Sequence, residues 1–223
     1  MSNVNSNDWR TVQFKNVLCE RKERALNNGK LPLYSLTIKD GVSPKSDRYE
    51  REFLVKNKDK KTYKIVEIND LVFNPANLRW GAIARSKNPF PVLVSPIYEV
   101  LYSLNKSELD PVFLEYLSKS DEMHLQYVHY MEGTLIERTA LKIEDFLKLH
   151  IKLPPILKQK KIASILSCID MFIDKLKKHL DKLNNLKKAT INDFLTKGVD
   201  HNEFKDSELG KIPVSWKVYK LDE

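Results

Sequence analysis

Glycine is scarce in this chain, with 6 residues among 223, and cysteine is scarcer, with 2. No GxxxxGK segment followed by Ser or Thr occurs, so no P-loop helicase or translocase site is visible. Cys19 and Cys168 stand far apart, with neither a CxxC spacing nor histidine company. That excludes the common zinc patterns and suggests a reducing compartment. No apolar run approaches the roughly 18 residues needed to cross a bilayer. The opening MSNVNSNDW lacks the basic region and apolar stretch of a secretory signal. A soluble, cytoplasmic protein without a membrane partner is expected.

What is abundant is positive charge. Lys and Arg total 38 against 30 acidic residues, a formal charge of +8. Such an excess favours a polyanionic partner, nucleic acid first and an anionic membrane surface second.

From Trp9 to about Ile151 the pattern is mixed. Strand-like pieces are WRTVQF, KLPLYSLTI, EFLVK, TYKIVEI, DLVFNP, GAIAR, PVLVSPIYEVLY and LHIKL, with turn residues between them. One helical stretch begins near Asp110-Pro111 and runs through VFLEYLSKSDEMHLQYVHYM, proline suiting a first helical position. EGTLIER then reads as a loop. The fold class expected is α+β, a globular mixed domain followed by a long helix.

After Pro154-Pro155 the period changes. Ile162, Leu166, Ile169, Ile173, Leu176, Leu180 and Leu183 recur at steps of four and three, which places them on one helical seam. A strict heptad would next require Lys187, so the seam drifts through Leu186 towards Ile191 and Phe194-Leu195. Gly198 is a plausible stop. Forty-odd helical residues extend about 60 Å. So long a seam needs a second long helix as cover, from a partner or a second copy. The alternative is a break near HLDKLNN and two shorter helices.

The two ends of the chain look alike. NDWRTVQF opens it, and PVSWKVYKL comes near its close, each a tryptophan followed by a basic residue and an alternating tail. The pieces LPLYSLTIKDGV, INDLVFNPANLRWGAIAR, VSPIYEVLY, LDPVFLEYL, GTLIERTALKIEDFLKLHIKLPPILKQKKIASILSCIDMFIDKL, LKKATINDFLTKG and FKDSELGKIPVSW carry a family resemblance. The sequence resembles the DNA-specificity subunit of type I restriction–modification enzymes. The proline pair with Gln159 at the helix start, and the linker DSELGKIPVSW, are its most specific parts.

That resemblance implies a target-recognition domain over 1–153 and a long helix for spacing, dimerisation and partner contact over 154–197. A linker and the opening of a second repeat would follow over 198–223. Family members usually carry two recognition domains and two such helices, so this sequence resembles a single-domain, half-length form or a truncated one. The implied function is sequence-specific recognition of double-stranded DNA that directs methyltransferase and restriction subunits to a target. S-adenosylmethionine, ATP and magnesium are implied for those partners, and no cofactor for this chain. An antiparallel homodimer through the long helices would restore the two-domain geometry. The competing expectation is a scaffold or regulatory coiled-coil protein that binds methyltransferase subunits without reading DNA.

No catalytic centre is evident. Asn74-Pro75-Ala76-Asn77 lacks the second proline and the aromatic of an adenine-methyltransferase motif, and reads as a turn. His124 and His129 are five apart and without further ligands, which favours packing or surface roles. No compact acidic–lysine pairing of a nuclease rises above background. Candidate DNA contacts are Lys39, Lys45 and Arg48 in KDGVSPKSDR, with Asn77, Arg79, Trp80, Arg85 and Lys87 in NLRWGAIARSK. Arginine and asparagine suit base edges, and lysines suit phosphates. KNKDKK at 56–61 would extend the surface or solubilise a hairpin, and the lysines of the long helix read as its exposed face.

Overall fold

The computed structural model describes residues 9–44, 62–131 and 140–219. The chain divides into two compact units, Met1–Leu166 and Ser167–Glu223. The boundary falls within the long helix.

In the first unit, β7 (Leu71–Phe73), β8 (Ile83–Arg85), β10 (Glu99–Ser103) and β2 (Leu18–Glu20) form an antiparallel sheet in the order β2-β10-β7-β8. A second sheet runs β3 (Arg24–Leu26), β6 (Thr62–Val66), β9 (Val92–Val94), β4 (Leu33–Thr37) and β5 (Gly41–Pro44), parallel only between β4 and β9. β1 (Arg10–Gln13) pairs with β11 (His150–Leu153), which closes the two ends of the unit together.

The four-stranded sheet is buried on both faces, which is why β7 reads as the unbroken apolar run Leu-Val-Phe. Successive side chains part company by the period of two. Leu71, Phe73, Ile83 and Leu101 enter a core with the helices. Val72, Ala82, Ala84 and Val100 enter a second core with Leu36, Val42, Val66, Val92 and Val94 of the other sheet. The buried Lys64 of β6 donates to Glu99 of β10 and so links the two sheets. Phe146 centres the larger core. Its ring stacks on Phe73 at 4.5 Å, Phe14 at 4.9 Å and Tyr127 at 5.8 Å.

The expected single helix is two, α1 (Pro111–Ser118) and α2 (Asp121–Met131). Asp110 caps α1, accepting from the backbone N–H groups of Val112 at 3.0 Å and Phe113 at 2.8 Å. The break has local causes. The N–H groups of Lys119 and Ser120 turn back to Tyr116 and Leu117, and the Tyr127 hydroxyl donates to the Ser118 carbonyl at 2.9 Å. Ser120 Oγ then accepts from Met123 N–H and opens α2.

PVLVSPIYEVLY likewise divides into β9 and β10. The sequence pattern passed over β2, β3, β5 and the one-turn α3 (Ile143–Phe146). EFLVK and GTLIER lie outside the described residues.

α4 runs unbroken over Ile156–Lys197, about 63 Å at 1.5 Å per residue. No break occurs at HLDKLNN. Gly198 ends it as expected, at φ +70°, its N–H donating to the Phe194 carbonyl at 3.0 Å. A Cβ there would stand 2.3 Å from the His201 ring and 3.1 Å from Trp216, so only glycine fits.

In the second unit a hairpin follows, β12 (Phe204–Ser207) with β13 (Gly210–Pro213), and the Trp216 ring meets His201 edge-on at 6.2 Å. In the alternating tail Val218-Tyr219-Lys220-Leu221, Val218 and Tyr219 are not part of a sheet, and Lys220 and Leu221 lie outside the described residues.

Candidate functional site

The two candidate DNA-contacting segments meet on one side of the first unit. KDGVSP forms the β4–β5 turn and β5, while NLRWGAIARSK forms the β7–β8 loop and β8. Gly41 packs against Ala84, where an added Cβ would stand at 3.2 Å from that methyl group, and its φ is +66°. Asn88 Nδ2 donates to the Val42 carbonyl at 3.4 Å. Lys39 lies exposed in the turn, beside Asp40, whose N–H donates to Thr37 Oγ1. Lys45, Arg48 and the 56–61 lysines lie outside the described residues.

The second segment is split by the hairpin register, in which Phe73 faces Ile83 and Leu71 faces Arg85. Asn77, Arg79 and Trp80 sit at the closed end, in the loop between β7 and β8. Arg85 and Lys87 sit at the open end.

The closed end is a built turn. Asn74 Oδ1 accepts from Ala76 N–H at 3.0 Å, the Asn77 carbonyl accepts from Trp80 and Ala82, and Leu141 N–H donates to the Pro75 carbonyl. Asn-Pro-Ala-Asn is therefore the turn its composition suggests. Trp80 is 64% exposed rather than buried, with the Arg79 guanidinium 5.1 Å from its ring centroid. A planar aromatic and a cation are thus presented together on a loop held by its own backbone.

The open end is engaged internally. Arg85 Nη1 donates to Asn69 Oδ1 at 2.7 Å, and its Nε lies 3.4 Å from Glu115 Oε2 on α1. Its side chain is only 14% exposed. Beside it, Arg21 grips the buried Asp70 through two hydrogen bonds of 2.6 and 3.0 Å. Burial raises the Asp70 carboxyl above its ordinary range, and the Arg21 hydrogen bond offsets part of that. Arg85, offered as a base reader by residue type, is thus largely buried, with one hydrogen bond to Asn69 and an ion pair to Glu115. What the residue types concealed was Glu115, a carboxylate on a helix remote in sequence.

On α4 the seam residues divide. Ile162 packs against the main core and Leu166 is half-buried. Ile169, Ile173, Leu176, Leu180 and Leu183 are 41 to 63% exposed. Ile165 and Phe172 widen the apolar stripe on the same side, a width that the strict steps of four and three left out.

The helix start is anchored by a residue with no role in the seam. Gln159, fully buried, donates from Nε2 to the carbonyls of Glu108 at 2.9 Å and Pro154 at 2.8 Å.

His124 and His129 are exposed on α2, and among the described residues no group of three or more His, Cys, Asp or Glu could hold a metal ion. Among the described residues no helix is long and apolar enough to cross a membrane.

Comparison with known proteins is consistent with this architecture. The chain is 31% identical over 170 residues to a specificity subunit assigned to the type I restriction enzyme MjaX of Methanocaldococcus jannaschii, covering 75% of this chain and 40% of that protein. It is 40% identical over 116 residues to the type I restriction enzyme MjaVIII specificity subunit of the same organism, covering 52% and 26%.

Among solved structures, the S subunit of a type I restriction–modification system from M. genitalium aligns over 87% of this chain and 47% of its own, at 15% identity and a TM-score of 0.57. The HsdS subunit of Thermoanaerobacter tengcongensis aligns over 84% and 45%, at 15% identity and a TM-score of 0.52. The chain spans less than half the length of each of these proteins, and the structural likeness is one of fold. The model of the type I restriction modification DNA specificity domain matches residues 8–188. The chain belongs to that family.

Proposed function

We propose that this chain recognises double-stranded DNA sequence-specifically, as the specificity element of a type I restriction–modification assembly. It would direct methyltransferase subunits, which use S-adenosylmethionine, and restriction subunits, which use ATP and magnesium. The observation that carries this is the family match over residues 8–188. The basic balance of the chain and the exposed Trp80 with Arg79 beside its ring support it.

On this proposal Arg79, Trp80 and Asn77 face bases, while Lys39 and Lys87 hold phosphates. Lys45 and Arg48, beyond the described residues, belong to the same segment as Lys39. Arg85 supports the site from within. The exposed stripe on α4 supports antiparallel pairing of two copies, which would set two recognition domains about a two-fold axis and select an inverted-repeat target.

Selection of bound duplexes from a random pool, followed by footprinting with the methyltransferase chain, tests the proposal. A single enriched motif with bounded protection is expected. Equal protection of unrelated duplexes would favour the scaffold role instead.

A further inference from the structure

Three cations converge on one buried carboxylate. Glu115, 7% exposed on α1, has Oε1 accepting from Lys119 Nζ at 3.0 Å, and Oε2 at 3.4 Å from Arg85 Nε and 3.8 Å from Lys87 Nζ. One negative charge among three positive leaves the group at +2. Arg85 already supplies a counter-ion from inside, so neutralising Glu115 does not require the other two. The Lys87 side chain is 70% exposed and that of Lys119 40%, with Glu115 beneath them.

We propose that Lys87 and Lys119, held in place by Glu115, form a phosphate grip that takes a backbone phosphate of duplex DNA. It deepens the proposed DNA recognition and rests on it. An ammonium group has three donors. Lys119 directs one at Glu115, and Lys87 pairs with the carboxylate at 3.8 Å without a hydrogen bond, so at least two on each remain for an anion on the solvent side. The shared carboxylate makes the two ammoniums surface neighbours and limits the freedom of two long side chains, which lowers the entropy lost on binding. The chemistry is that of a point charge rather than a planar fork, so it suits phosphate oxygens and not base edges.

Arg85 is the positioning residue of this group. Its Nε faces Glu115 Oε2 from the buried side at 3.4 Å, on the same carboxylate that both lysines approach. Lys119 escaped the residue pattern because it is the C-cap of α1, 32 positions from Lys87, and only the packing of α1 beside β8 joins them.

The test uses the full chain, with Lys87→Gln, Lys119→Gln and the double variant. Anisotropy titrations would follow a pool-selected duplex and a scrambled one across a salt series. Both duplexes should lose affinity by the same factor, and the slope of log K against log salt should become shallower by about 0.9 for each phosphate contact removed. Denaturant midpoints should stay at the wild-type value.

A double variant with unchanged slope overturns the grip and leaves DNA recognition standing, as does a loss confined to the selected duplex. A wild-type chain that binds neither duplex overturns both. Inorganic phosphate is the second probe. Calorimetric binding of free phosphate that the double variant abolishes, with duplex affinity unchanged, would assign the group to a small anion and overturn the duplex proposal.

Discussion

The backbone N–H of Asp110 donates to Gln159 Oε1 at 2.9 Å, which joins the cap of α1 to the second turn of α4. The same Asp110 carboxylate caps α1, so one residue serves two helices. With its Nε2 bonds to Glu108 and Pro154, the Gln159 amide satisfies three backbone groups from a fully buried position.

Gln159→Met keeps most of the volume and removes all three bonds. Stability should fall by about 2–4 kcal/mol, because buried backbone groups lose their partners. Asp110→Ala should lose less, about 1 kcal/mol for the cap. Urea denaturation midpoints would rank the two, and the reverse order would show that the cap outweighs the amide.

Arg79 and Arg85 should separate. Arg79→Ala should reduce discrimination between selected and scrambled duplexes, by about 1–3 kcal/mol if a bidentate base contact is lost. Arg85→Ala should act on stability, by about 1–3 kcal/mol, since Glu115 then keeps only its lysine partners. Parallel binding and denaturation series check both. Loss of target choice in a fully stable Arg85→Ala chain would reverse the roles.

The exposed stripe of α4 predicts self-association. Ile173→Asp with Leu176→Asp should turn a dimer into a monomer and leave the urea transition of the first unit in place. The apolar seam outweighs the exposed Lys177–Asp174 pair at 3.8 Å, as such pairs contribute under about 1 kcal/mol. Sedimentation velocity at tens of micromolar measures this. A wild-type chain that is monomeric both alone and with the methyltransferase chain would remove the homodimer.

Burial raises the Tyr127 hydroxyl above the ordinary tyrosine range. The folded chain therefore holds a proton that the unfolded chain releases near pH 10. This contribution is present below about pH 10 and is lost as pH rises past it. Tyr127→Phe should cost about 1 kcal/mol at neutral pH through the lost bond to Ser118. The deficit should shrink between about pH 8 and about pH 11, because phenylalanine has no proton to lose. Denaturant midpoints across that range supply the check, and a constant deficit would contradict the assignment.

Local pattern was sufficient where one residue's neighbours along the chain set its environment. Steps of four and three from Ile162 to Leu183, with Gly198 behind them, predicted α4 and its end, since helical periodicity and a left-handed stop are local properties. DLVFNP and TYKIVEI likewise announced β7 and β6. Lys119-Ser120 did not announce a helix break, because that break depends on the Tyr127 hydroxyl and the Ser120 oxygen finding backbone partners. β2, β3 and β5 are short strands that gain their definition from sheet neighbours distant in sequence.

The sequence by itself determined the basic balance, the mixed domain with its long helix, and the residue types available for contact with DNA. Tertiary structure decided their employment. Trp80 stands exposed because its loop is closed by hydrogen bonds from Ala82 and Leu141. Arg85 is turned inward because α1 brings Glu115 to it, and Lys119 joins Lys87 by the same packing. Electrostatic partnership acts through space at a few ångströms, and a linear spacing carries no information about a carboxylate that only folding brings near.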